Sequence, residues 1–88
     1  MYNIVLSSQV QKFFKNINPK IRDNIILKIE NLSENPFPYG CKRIVNRKEK
    51  LFRIRIGDFR VLYMVNDDLT EIFISKIDKR SKVYNFLK

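Results

Sequence analysis

The sequence predicts an α+β domain: an antiparallel twisted sheet with an N-terminal αα-hairpin packed on one face. Three observations carry this. Residues 51–65 alternate apolar and charged side chains around Gly57-Asp58, the pattern of two half-buried strands joined by a tight turn. Ile21, Ile25, Ile29 and Leu32 recur at helical spacing, with Ile26 widening the stripe. Two further β-rich runs, near the two ends, supply more strands to the sheet.

Tyr2 to Leu6 alternates weakly and gives the first strand. Ser8, with Gln11 three residues on, matches a capping box that opens a helix through Val10, Phe13 and Phe14. The segment Asn16–Pro19 breaks it. Asn18 then caps a second helix with Pro19 at its first position, where a missing N–H costs nothing. So short a link makes the two helices an antiparallel pair. Asn35–Gly40, with Pro36 and Pro38, ends the second helix and turns the chain. Cys41 to Val45 reads as a short strand or as the lead into the basic loop Asn46–Lys50.

After the central hairpin, Asn66-Asp67-Asp68 resembles a metal pair but is better explained as a turn between strands. Thr70 to Ile77 follows as a strand, and the run Ile72, Phe73, Ile74 predicts burial on both its faces. Lys79–Lys88 contains Val83, Tyr84, Phe86 and Leu87, compatible with a short helix. The order is β-α-α-β-β-β, and residues 1–88 read as one domain without internal repeats.

Register decides what the hairpin presents. With Gly57 and Asp58 as the loop, Ile56 faces Phe59, Arg55 faces Arg60, Ile54 faces Val61 and Arg53 faces Leu62. Ile54, Ile56, Phe59, Val61 and Tyr63 then form one apolar side, and Arg53, Arg55 and Arg60 gather on the other. Two guanidiniums opposed at about 5 Å repel by roughly 3 kcal/mol at an effective dielectric of 20. Folding mildly opposes that arrangement. Either the arginines are solvated, splayed apart or paired with carboxylates, or they await a polyanion.

Charge sharpens the question. The net charge is +9, and residues 42–60 hold eight basic and two acidic side chains. The basic ones are Lys42, Arg43, Arg47, Lys48, Lys50, Arg53, Arg55 and Arg60. Lys79, Arg80, Lys82 and Lys88 add four charges at the C-terminus, and the rest of the chain sums to −1. A clustered basic field predicts a phosphate-rich or acidic partner. No apolar run approaches the ~20 residues that cross a bilayer. The N-terminus lacks the basic flank of a signal peptide, and Cys41 is alone, so a reducing cytoplasm is expected. No histidine is present, which removes the commonest general base and the imidazole metal ligands. No cofactor is expected.

A phosphodiester suits such a face. Cleaving RNA needs an activated 2′-hydroxyl, stabilisation of the phosphorane, and a proton for the leaving 5′-oxygen. Preset arginines supply the second requirement, often the largest. Arginine is a poor base because it stays protonated above pH ~12. The candidates for proton transfer are Lys48, Lys50, Lys79 and Tyr84, whose neighbouring cations favour deprotonation. Tyr84 either stacks on a base, worth about 1–3 kcal/mol, or packs on the sheet edge.

The segment Leu51–Tyr63, with Arg55-Ile56-Gly57-Asp58-Phe59-Arg60 at its centre, resembles the central hairpin of the RelE/ParE superfamily of toxin–antitoxin systems. The element order, Asn35-Pro36, and the ending Lys79-Arg80-Ser81-Lys82-Val83-Tyr84 agree with it. The likeness spans nearly the whole chain and favours the RelE branch. It implies a RelE-like fold and a ribosome-dependent endoribonuclease that cuts mRNA in the A site and inhibits translation. It also implies metal-independent 2′-hydroxyl attack, and a RelB-like antitoxin that neutralises the toxin and with it represses the operon on operator DNA. No membrane is involved.

Carried over by position, Arg53 and Arg55 stand where some members have catalytic lysines, and Arg60 matches the phosphate-stabilising arginine. Arg80 matches the C-terminal arginine, and Tyr84 the tyrosine that supports the substrate. Lys42, Arg43, Arg47, Lys48, Lys50, Lys79 and Lys82 would bind RNA or the ribosome. Two departures leave the base open. Arg53 and Arg55 do not readily lose a proton, and Lys79 replaces a histidine found in other members. The base is then Lys79, Tyr84 or a loop lysine, or the rate comes from electrostatics and the ribosome. The alternatives are a ParE-like inhibitor of DNA gyrase and a non-catalytic basic module that binds nucleic acid or protein.

Overall fold

A computed structural model describes residues 1–44 and 50–79. Strand β1 (Asn3–Leu6) leads to helices α1 (Ser8–Lys15) and α2 (Pro19–Glu34). Strands β2 (Lys42–Ile44), β3 (Leu51–Ile56), β4 (Phe59–Asn66) and β5 (Glu71–Lys79) follow. They form one sheet in the order β1-β5-β4-β3-β2. The α+β class and the helical pair on one face hold.

The sheet is mixed rather than wholly antiparallel, because β1 runs parallel to β5, with Ile4 opposite Ile72 and Leu6 opposite Ile74. No turn constrains this pair, since the helices and three strands intervene. The N-terminal strand enters at the open edge of β5 in the direction that lets α1 fold back over the sheet. Residues 42–44 do form a strand, the opposite edge of the sheet, antiparallel to β3. The C-terminal segment from residue 80 lies outside the described residues.

Helix α1 starts one residue earlier than the capping-box reading. Ser7 is the cap: its backbone is still extended, its Oγ accepts from the Val10 N–H at 3.2 Å, and its own N–H donates to the Ile74 carbonyl. One residue thus ends the strand and starts the helix. Asn18 caps α2 as expected, accepting from Lys20 N–H at 2.8 Å with Pro19 behind it. Ile25, Ile29 and Leu32 are buried from α2, and Val10 and Phe14 from α1. Ile21, in the predicted stripe, is 40% exposed, because the first turn of α2 overhangs the β3–β4 turn.

The hairpin register is the predicted one throughout, from Ile56 opposite Phe59 to Arg53 opposite Leu62. Gly57 adopts φ +60, the left-handed value that a side chain resists. A Cβ there would meet open space, so the penalty for Gly57→Ala is conformational alone. We expect it to destabilise the fold by about 1 kcal/mol, read as a lower urea midpoint with unchanged slope.

Strand β5 departs from simple alternation. Its pairing with β4 slips between Leu62 and Tyr63, so that Leu62 opposes Lys76 while Tyr63 opposes Ile74, leaving Ser75 as the extra residue of a bulge. Ile72, Ile74 and Ile77 therefore all point to the helices and are fully buried, although the last two are three residues apart. Ser75 Oγ donates to Leu62 O, and Ser7 Oγ donates to Ser75 O at 2.9 Å. Beyond the end of β1, the Gln9 side chain continues the edge, donating to Ile77 O and accepting from Ile77 N–H. The run Ile72, Phe73, Ile74 is buried on the helix side only; Phe73, on the other face, is half-buried.

Candidate nucleic-acid interface

The face away from the helices is set by alternation along β3 and β4 and by the bulge in β5. Arg53 and Arg55 lie on it from β3 and Arg60 from β4, with Arg55 directly opposite Arg60. Arg60 sits on a central strand and is 3% exposed; Arg53 is half-buried and Arg55 exposed. The like-charged opposition inferred from the sequence is thus present, and nothing about folding requires it. The ion pair formed between two described residues, Arg22 with Asp23 at 3.4 Å, lies on α2, away from this cluster.

Lys42 is opposite Arg53 and shares its face. Arg43 is opposite Phe52 and Lys79 opposite Phe59, so both lie on the helix side of the sheet, at its margins. Lys50 is exposed just before β3. It borders a groove of about 530 Å³ that Met64, Phe73, Asn66, Asp67 and Glu71 also line, at the other end of the sheet. Arg47, Lys48, Arg80, Lys82 and Tyr84 lie outside the described residues.

Two polar residues that sequence reasoning missed join the arginines. Lys76 is opposite Leu62, and Asp78 is opposite Arg60. Plain alternation from Ile74 places both in the core; the spacing of Ile74 and Ile77 was the signal that it fails. Leu51 and Leu62, with Ile44 and Met64, form a small apolar cluster on the same face. The face thus has a basic end near the hairpin turn, an apolar middle and an acidic far end. A phosphate chain is drawn to the first and repelled from the last.

Asp67 and Asp68 behave as a turn. Asn66 Oδ1 accepts from Leu69 N–H at 3.1 Å, and Asp67 Oδ1 accepts from the Tyr2 hydroxyl at 2.7 Å. That bond to Asp67 holds the Tyr2 phenol above its ordinary pKa. No group of three or more metal-ligating side chains occurs among the described residues, and no described helix is long and apolar enough to cross a membrane.

The fold that carries this site, a helical pair over one face of the sheet, is shared with small toxins of known structure. Residues 4–84 match the family model described as the ParE toxin of type II toxin–antitoxin system, parDE. The chain belongs to the RelE/ParE superfamily of type II toxin–antitoxin toxins. A relative from Methanocaldococcus jannaschii, which carries the provisional name toxin RelE1, is 35% identical over 86 residues, 94% of each chain. The archaeal RelE–RelB complex from Pyrococcus horikoshii OT3 matches with TM-score 0.80 and 25% identity, over 92% of this chain and 97% of that one. The isolated E. coli RelE toxin shares the fold at TM-score 0.75 and 19% identity, over 98% and 94%. The resemblance read from the hairpin holds, on the RelE side of the superfamily.

Proposed function

We propose that this chain is the toxin of a RelBE-type pair and a ribosome-dependent endoribonuclease that cuts mRNA in the A site, arresting translation. The observation that carries the reading is the cross-strand pair Arg55–Arg60 on the face away from the helices, flanked by Arg53 and Lys42. Guanidiniums held there in advance meet the negative charge that builds on phosphorus when a 2′-hydroxyl attacks, with no reorganisation at the moment of reaction. A bound ribosome supplies the mRNA in the needed conformation, and the arginines supply the charge that meets the phosphorane. Arg80 and Tyr84 complete the catalytic set in this proposal. Arg47, Lys48 and Lys82 extend its phosphate contacts.

A RelB-like antitoxin is the proposed partner, since the P. horikoshii relative was solved as a RelE–RelB complex. Together the two would occupy operator DNA. Inducing the chain alone should stop growth by halting protein synthesis, and primer extension on cellular mRNA should show breaks within codons. The match to a ParE family model favours a second reading, inhibition of DNA gyrase. Arrest with intact mRNA and inhibited gyrase would establish it and remove the ribonuclease. No effect on growth would leave a binding module.

A further inference from the structure

We propose that Asp78 is the proton acceptor for the attacking 2′-hydroxyl, a carboxylate that the bulge of β5 delivers into the arginine row. This rests on the ribonuclease reading and deepens it. The chain has no histidine, its arginines stay protonated, and a lysine serves as base only after losing a proton it normally keeps. Among the described candidates, Lys79 lies on the helix side and Lys50 at the acidic end of the sheet. At the arginine end, pairing brings together Lys42, Arg53, Arg55, Arg60, Lys76 and Asp78. Of these six, only Asp78 has a side chain that, when ionised, accepts rather than donates.

Its placement suits the task. Arg55, Arg60 and Asp78 form one row across β3, β4 and β5. Directly opposed residues have Cβ atoms about 5 Å apart, so one nucleotide can present its phosphate to the guanidinium and its ribose to the carboxylate. Asp78 Oδ1 accepts from the Lys79 N–H at 2.8 Å, which orients the group and leaves Oδ2 for the ribose. Asp78 makes no ion pair with a described residue. The charged groups facing it are Arg60 from β4, Arg55 behind Arg60, and Lys76 from its own strand. Pairing with β1 ends at Ile74, and α1 contributes the uncharged Gln9 near this end of β5.

The step balances without a metal. Asp78 takes the 2′-hydroxyl proton, and the freed oxygen pair forms the O2′–P bond. The P–O5′ bond breaks with its electrons on O5′, which takes a proton from water, and Asp78 returns its proton to solvent. The products are a 2′,3′-cyclic phosphate and a 5′-hydroxyl.

Single-turnover cleavage of ribosome-bound mRNA tests this with the full chain. D78N should cleave at least about a hundredfold more slowly, without weaker binding to programmed ribosomes. D78E, which keeps a carboxylate, should recover part of the rate. D78N cleaving within about threefold of wild type, or D78E cleaving no faster than D78N, would overturn the assignment. Failure of the wild-type protein to cut mRNA on ribosomes would instead remove the ribonuclease reading beneath it.

Discussion

Arg60→Ala should abolish growth arrest and cut ribosome-dependent cleavage by about 10²–10³-fold, the loss seen when one donor to a developing oxyanion is removed. Arg60 is the most buried of the three hairpin arginines, and Arg55 on β3 and Asp78 on β5 stand directly opposite it. Low exposure strengthens its field on a nearby phosphate, since less water screens it. Arg60→Lys keeps the charge but gives up the planar fork, so it should fall between wild type and alanine. A circular-dichroism melt, run alongside growth curves and primer extension, checks that the alanine variant stays folded. Arrest that persists in a folded Arg60→Ala chain would count against electrostatic catalysis at this face.

The largest expected effect on stability is at Tyr63. It is fully buried, stacks with Phe52 at 5.8 Å between centroids, and donates from its hydroxyl to Pro36 O at 2.7 Å. Tyr63→Ala should cost about 3–5 kcal/mol, a large part of the ~5–15 that holds such a domain together. Tyr63→Phe keeps the ring and should cost about 1–2 kcal/mol, because the Pro36 carbonyl loses its partner. Burial first, and Cys41 beside it, hold the Tyr63 phenol well above its ordinary pKa near 10. Above pH ~10 the unfolded chain therefore sheds this proton while the folded one keeps it. The stabilisation is complete below pH ~10 and declines above it, by up to about 1.4 kcal/mol per pH unit. Urea midpoints at neutral and alkaline pH should show a decline in wild type that Tyr63→Phe reduces.

The hairpin was legible because two residues fix it. Gly57 accepts the left-handed backbone, and once Gly57-Asp58 is the loop every pair from Ile56–Phe59 to Arg53–Leu62 follows. The helices were legible from Asn18, Pro19 and the buried positions Ile25, Ile29 and Leu32. The direction of β1 was not, because a distant edge pairing leaves no local mark. Nor does counting charges assign them to faces: Arg43 and Lys79 read as part of one basic field, yet their pairs, Phe52 and Phe59, lie toward the helices. Lys76 and Asp78 escaped notice because alternation buries them unless a residue is skipped; the spacing of Ile74 and Ile77 signals a skip, and the pairing with β4 places it at Ser75.

That skipped residue lets one strand obey two parities. Upstream of it, β5 answers to β1 and the hydrophobic layer; downstream, its even-numbered residues are handed to the arginine face. Deleting Ser75 would leave these faces as they are, because Lys76 would then follow Ile74 directly; pairing the full-length strand without the bulge would instead reverse the hand-off. A lysine and an aspartate would turn inward where Ile77 now packs, and the isoleucine would emerge among the arginines.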